Sequence, residues 1–412
     1  MSNEHADEFS AVVSLNEAIK RASTVDVRAV YSRLMSQGGI CPGKVSQDEF
    51  GSGAGINQHL ESRAAFSVTN YENVTRVLTD TDAFSVESYV EALVPVFGMN
   101  VLAMDGADHQ RQRSFLNPIF SAKNIQLWTE TIVRPVISSQ MDKLAAAGAK
   151  ADLVKDLCLI FPFSVLSYLL GLPRENLNRF HRLAIEILGA AGIEAMFAAS
   201  ATLGDDIRRE IARRRVEPGV DLVSALVAAE VKGERLGEEE IVSFLKLLFS
   251  AGAETTSRSS ANLLTAVLTH PDQLAAVRAD RSLIGPTIEE SLRWESPVGE
   301  GSRMATKDVE LSGVHIPKGS IVYFYECCAN RDPAAFEKPE QFDIRREPKR
   351  HLAFGHRRHL CLGQSLARAE MTTMLTMLLD RFPNLRLDPD APAPVIDGVS
   401  FRSPANLHVR LD

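Results

Sequence analysis

His351-Leu-Ala-Phe-Gly-His-Arg-Arg-His-Leu-Cys-Leu-Gly363 is the stretch on which the reading of this chain turns. A lone cysteine is ordinarily a small buried hydrophobe. Cys361 keeps different company. Gly355 precedes it, Gly363 follows it, and a helical pattern begins directly afterwards over about 363–381. Ala367, Met371, Met374, Leu375 and Leu378 share one face of that helix. Backbone N–H groups at a helix start stabilise a thiolate, and the nearby Arg357, Arg358 and His359 favour it further. No second thiol stands close and the chain has no CxxC pair. The stretch therefore predicts a single-sulfur ligand rather than a tetrahedral zinc site.

Working outward, the pattern over 107–280 is helical nearly throughout. Its clearest element runs from about 238 to 269, free of proline, until His270-Pro271 stops it. That is about 48 Å at 1.5 Å per residue, enough to cross the molecule. A second helix is expected from Pro286 to just before Pro297. Strand-like runs are expected at 65–69, 309–316 and 321–325, a short helix at 71–78, and short strands in the tail over 385–411. Residues 1–25 read as a loosely docked arm. Gly51-Ser-Gly-Ala-Gly55 matches neither dinucleotide nor Walker loops and reads as a turn. There is no repeat and no compositional break, so one mainly α domain with small β-sheets is expected over 1–412.

Four further stretches carry chemistry. Ala251-Gly-Ala-Glu-Thr-Thr256 falls midway along the long helix. A glycine inside a helix costs about 1 kcal/mol, so a close approach is expected there. Thr255 can bond a helix carbonyl, and an acid beside an alcohol, Glu254 with Thr255, can relay protons. Glu290 and Arg293 are three apart and share a helix face. His109 and Arg113 are four apart and share another. Ala329-Asn-Arg-Asp-Pro333 reads as a turn. Taken singly, each of these charges is more often a solvated surface group.

Together these stretches resemble the cytochrome P-450 superfamily. Phe354, Gly355, His359, Cys361 and Gly363 match its haem-binding loop, with Arg357 where the family usually has glycine. The long-helix stretch resembles its oxygen-activation motif, and Ala329 to Pro333 its A-N-R-D-P turn. Glu290 and Arg293 resemble its E-x-x-R pair, with Arg346 as the third member of a structural triad. The resemblance spans roughly 60–410. It implies a triangular-prism fold holding haem b, with Cys361 as the iron ligand. It implies that His109, Arg113, Arg303 and His359 contact the propionates, and that Ala251 and Gly252 line the haem and oxygen site. It also implies a monooxygenase that inserts one atom of O2 by hydroxylation.

Composition sets limits. The chain has 412 residues and net charge −8, with 45% hydrophobic and 24% charged residues. That is ordinary for a globular protein and a poor match to nucleic acid. Five cysteines, two of them adjacent, argue for a reducing compartment, and with a polar N-terminus a cytoplasmic protein is expected. The apolar stretch at 157–173 is broken by Pro162 and falls short of the roughly 20 residues of a membrane span. No flavin, nicotinamide or iron–sulfur fingerprint is found, so electrons are expected from NAD(P)H through a separate ferredoxin and reductase. Six basic residues against one acid lie between 345 and 358. Arg345, Lys349, Arg350, Arg357 and Arg358 are the expected ferredoxin patch. A monomer is expected. The substrate is expected to be hydrophobic, lined by Phe97, Met99, Val101, Leu248, Ala251, Val298, Gly299, Val399 and Phe401. Glu300 is a charge without an account. A peroxide-using or coupling haem-thiolate enzyme, or a non-catalytic haem binder, are the alternatives.

Overall fold

The helix Glu238–Thr269 forms the axis of the molecule. Three glutamates, Glu238, Glu239 and Glu240, favour its positive N-terminal end, and the Glu240 side chain accepts from the Gly237 amide at 2.8 Å. Nearly every residue from Thr256 to Leu268 is buried, polar ones included. A helix buried on all sides packs against neighbours all round. These are Phe161–Leu169, Ile193–Val216, Ile284–Trp294 and Gln364–Arg381. The computed structural model describes residues 12–14, 26–49, 63–172, 177–189 and 191–412. Most of the 1–25 arm, and the glycine-rich turn at 51–55, lie outside the described residues.

A five-stranded sheet covers one side, in the order Ile40–Pro42, Ala65–Val68, Ile321–Phe324, Gly301–Ala305, Phe84–Ser85. Its register sets Arg303 opposite Val322 and Gly301 opposite Phe324. Gly301 has to be glycine: a Cβ there would meet the Phe324 ring at 2.3 Å and the Tyr89 hydroxyl at 2.8 Å. Pairing is alternating, so Met304, Ile321 and Tyr323 face one core while Val322 and Phe324 face another.

Two expectations are corrected. The run over 309–316 is not one strand but a hairpin, Val309–Leu311 against Val314–Ile316. Its turn is Ser312-Gly313, both at positive φ (45° and 82°), the conformation that tight hairpins require. The helix expected at Pro286 begins two residues earlier, at Ile284, because the short 3₁₀ turn Arg281–Leu283 leads into it. The apolar stretch after Leu157 is the buried helix Phe161–Leu169, with Pro162 in its first turn. No helix among the described residues is long and apolar enough to cross a membrane.

Candidate active site

The long helix, the Cys361 loop, the helix Gly106–Ile119 and the segment before Gly301–Ala305 enclose a cavity of about 340 Å³. Cys361 lies in its wall, and its exposed surface opens into the cavity. Burial pushes the thiol up. The Gly363 and Gln364 amides and the Arg113 and Arg368 guanidiniums work the other way, each favouring the thiolate. The loop holds its shape through the Cys361 amide, which donates to the Phe354 carbonyl at 2.9 Å. Gly355 takes φ 70° and Arg357 φ 55°. Arg357 therefore occupies the left-handed conformation for which glycine is suited, and does so at a cost.

Four groups expected at the carboxylates of a cofactor line the same cavity: His109, Arg113, Arg303 and His359. Arg113 donates to the Leu360 carbonyl at 3.2 Å. Arg303 donates to the Ser302 carbonyl at 2.7 Å, its guanidinium between the rings of Tyr89 and Phe324. The His109 and His359 rings lie 4.5 Å apart. Burial, with His359 and Arg113 adding to it, holds His109 down at about 4, so this ring is neutral at pH 7. Its Nδ1 is buried without a hydrogen-bond partner among the described residues. His359 spends Nε2 on Asp105, at 3.1 Å.

The long helix presents Leu248, Ala251, Gly252, Thr255, Thr256 and Ser259. Thr255 Oγ1 donates to the Ala251 carbonyl at 2.8 Å, and Thr256 Oγ1 to the Gly252 carbonyl at 2.9 Å. Gly252 permits a close approach, though to a side chain: a Cβ would meet Leu166 Cδ1 at 3.2 Å. Glu254 is corrected. It does not join Thr255 at the cavity. It is fully buried and ion-paired with Arg258 one turn on, and Arg258 also donates to Ser403 Oγ at 2.8 Å.

The sequence missed two cavity acids, Glu370 and Glu326, and left a third, Glu300, without an account. Glu370, on the helix after Cys361, is 3% exposed, and burial pushes its carboxyl well above the usual range. Burial pushes Glu326 up to about 8 against the pull of Arg303. Glu300 lines the cavity as well. Glu370 falls among Ala367, Met371 and Met374, and an acid on an apolar helix face was a legible signal.

Of the expected substrate contacts, Val101, Leu248, Ala251 and Val298 line the cavity. The others lie outside its lining. Phe97 turns into the core at 2% exposure, and the reversal at Gly98 (φ 79°) sends Met99 to solvent at 44%. Gly299 and Val399 pack backbone to backbone, where a Cβ on Gly299 would meet the Val399 carbonyl at 1.9 Å. Phe401 lies under the Arg258 guanidinium.

Glu290, Arg293 and Arg346 form the expected triad. Glu290 meets Arg293 Nε at 2.7 Å and Arg346 Nε at 3.1 Å, and Arg293 donates to the carbonyls of Asn330, Pro339 and Gln341. These bonds tie the helix Ile284–Trp294 to the chain entering the Cys361 loop.

The cytochrome P450 family model matches residues 204–406. Cytochrome P450 107B1 of Saccharopolyspora erythraea is 35% identical over 338 residues, covering 78% of this chain and 83% of that protein. The chain belongs to the cytochrome P450 family. Vitamin D3 dihydroxylase of Streptomyces griseolus is 34% identical over 336 residues, covering 79% of this P450 and 82% of the relative. The solved structure of PksS, a P450 of the Bacillus subtilis bacillaene polyketide synthase, superposes with TM-score 0.82 at 30% identity. The match covers 93% of this chain and 96% of that one. This P450 is thus an oxygenase whose family implies a haem-iron cofactor. The cavity fits one. A thiol faced by two amide donors stands in its wall, and Arg113, Arg303 and the unpartnered His109 Nδ1 offer donors for carboxylates.

Proposed function

We propose that this P450 hydroxylates a largely apolar small molecule with O2, drawing electrons from NAD(P)H through a separate ferredoxin and reductase. One observation carries the reading: a thiol, Cys361, and a hydroxyl-bearing helix segment, Ala251, Gly252, Thr255 and Thr256, line one mostly apolar cavity. Cys361 would hold the haem iron, and Arg113, Arg303, His109 and His359 would meet its propionates. Bound haem supplies the oxygen chemistry.

The chain's own part is orientation, dryness and protons. Val101, Leu248 and Val298 exclude water and hold an apolar substrate against the helix. Thr255 Oγ1, now bonded to the Ala251 carbonyl, can turn its proton toward the cavity. With Glu254 held by Arg258, the proton is resupplied by Glu370, whose carboxyl burial pushes well above the usual range. The ferredoxin would dock on Arg345, Lys349, Arg350, Arg357 and Arg358. The first four are exposed on the segments leading into Cys361, and attraction to an acidic partner would weaken with salt.

The test is turnover of apolar compounds by the haem-loaded protein with ferredoxin, reductase and NAD(P)H, set beside peroxide alone. Product with the electron-transfer chain, and little with peroxide, is expected. Product from peroxide alone, with none from the reductase system, would overturn the ferredoxin reading.

A further inference from the structure

Several buried carboxylates in this protein have cationic partners. Glu290 has Arg293 and Arg346, Glu254 has Arg258, and Glu295 has Arg28, Arg331 and Arg402. Two carboxyls that line the cavity from neighbouring segments have no such partner among the described residues. Glu300 Oε1 accepts from Ser400 Oγ at 3.0 Å, while Oε2 is buried and has no hydrogen-bond partner. Glu326 is 8% exposed, and its carboxyl makes no hydrogen bond or ion pair among the described residues. The third cavity acid, Glu370, stands on a different element.

The sheet sets the segments of Glu300 and Glu326 side by side. Gly301 pairs with Phe324 at the end of the ladder, so the same register carried on puts Glu300 opposite Tyr325 and Gly299 opposite Glu326. The two chains stay side by side beyond it, where the Cys327 thiol donates to the Gly299 carbonyl at 3.2 Å. Around these two acids the wall is apolar, with Val298 and Phe324 nearest in sequence. Ionising a carboxyl that is buried without an ion pair costs several kcal/mol, a cost that a cationic ligand beside it would offset. Arg303 pulls on Glu326 only from a distance: its guanidinium lies between the rings of Tyr89 and Phe324 and forms no ion pair with either acid among the described residues.

We propose that the substrate of this cavity carries a basic nitrogen on an apolar body, and that Glu300, with Glu326 beside it, holds the cation. The proposal rests on the cavity's being the substrate site of the monooxygenase.

Two isosteric probes test it: a phenylalkyl chain ending in trimethylammonium, and the same chain ending in tert-butyl. The ammonium has no lone pair, so it cannot ligate iron. Equilibrium dialysis against the haem-loaded protein gives a Kd for each. The ratio of the neutral Kd to the ammonium Kd is expected to fall at least tenfold on Glu300→Gln, and severalfold on Glu326→Gln. A ratio unchanged by both substitutions, or no binding of the ammonium probe to the unmodified protein, would overturn the proposal. Each sample is also reduced under carbon monoxide. A missing red-shifted Soret band in the unmodified protein would defeat the monooxygenase reading itself. An intact band with an unchanged ratio defeats only the cation site.

Discussion

Arg258 and Glu254 face each other one helical turn apart, 1% and 0% exposed, and close an ion pair inside the long helix. Glu254 is therefore held as a structural anion, and Arg258 carries the contact on to Ser403 in the tail. Removing one partner leaves a buried charge, which typically costs about 3–5 kcal/mol. Glu254→Gln is expected to lose stability on that scale, and the double change Glu254→Gln, Arg258→Met is expected to recover much of it. Denaturant unfolding of the single and double variants measures this.

Glu370 calls for the opposite outcome. Burial pushes its carboxyl well above the usual range and so favours the neutral form, to which glutamine is close to isosteric; Glu370→Gln should change stability by under about 1 kcal/mol. Glutamine cannot pass on a proton. Product formed per NAD(P)H consumed should fall, with hydroxylation slowed on the order of a hundredfold. The check is product yield set beside peroxide released.

His181 gives the protein an acid-sensitive point. Its ring stacks on Phe163 with centroids 3.5 Å apart, and full burial holds it down at about 3. An unfolded histidine titrates near about 6.5, so below that pH the unfolded chain takes up a proton that the native ring refuses. Stability from this group is complete above pH about 6.5. It falls by roughly 1.4 kcal/mol per pH unit as pH drops toward 3. His181→Phe should flatten that slope. Unfolding of both proteins at pH 7 and pH 5 isolates the difference.

Arg357 stores strain that glycine would release. A non-glycine residue at φ 55° costs roughly 1–2 kcal/mol, and glycine gives back about 0.5–1 through the unfolded chain. Arg357→Gly should therefore stabilise the protein by about 0.5–1 kcal/mol. If the exposed guanidinium helps to dock ferredoxin, the same change slows the first electron transfer and shallows its salt dependence. Stopped-flow reduction across ionic strengths measures that part.

Local spacing carried the elements that could be read. The long helix ends where His270-Pro271 predicts, and the triad follows from three residues whose order and distance are set by one helix and one loop. The Cys361 loop is likewise continuous in sequence. What failed depended on tertiary direction. Phe97 and Met99 part ways because of the reversal at Gly98, which hydrophobicity does not encode. Gly299 and Val399 are taken up by backbone packing between distant segments. Glu254 was open to correction from sequence alone, since Arg258 stands four residues on, the spacing at which helix charges pair. That Glu300 and Glu326 line one cavity from neighbouring segments needs the strand register and could not be read beforehand.

The bond between the position-361 sulfur and haem iron is the central claim, and the reduced carbon-monoxide difference spectrum reads it directly. The unmodified protein should give the red-shifted Soret band of a thiolate-ligated haem, and Cys361→Ala should lose it. A red-shifted band that persists in Cys361→Ala, or that is absent from the haem-loaded unmodified protein, would contradict the account.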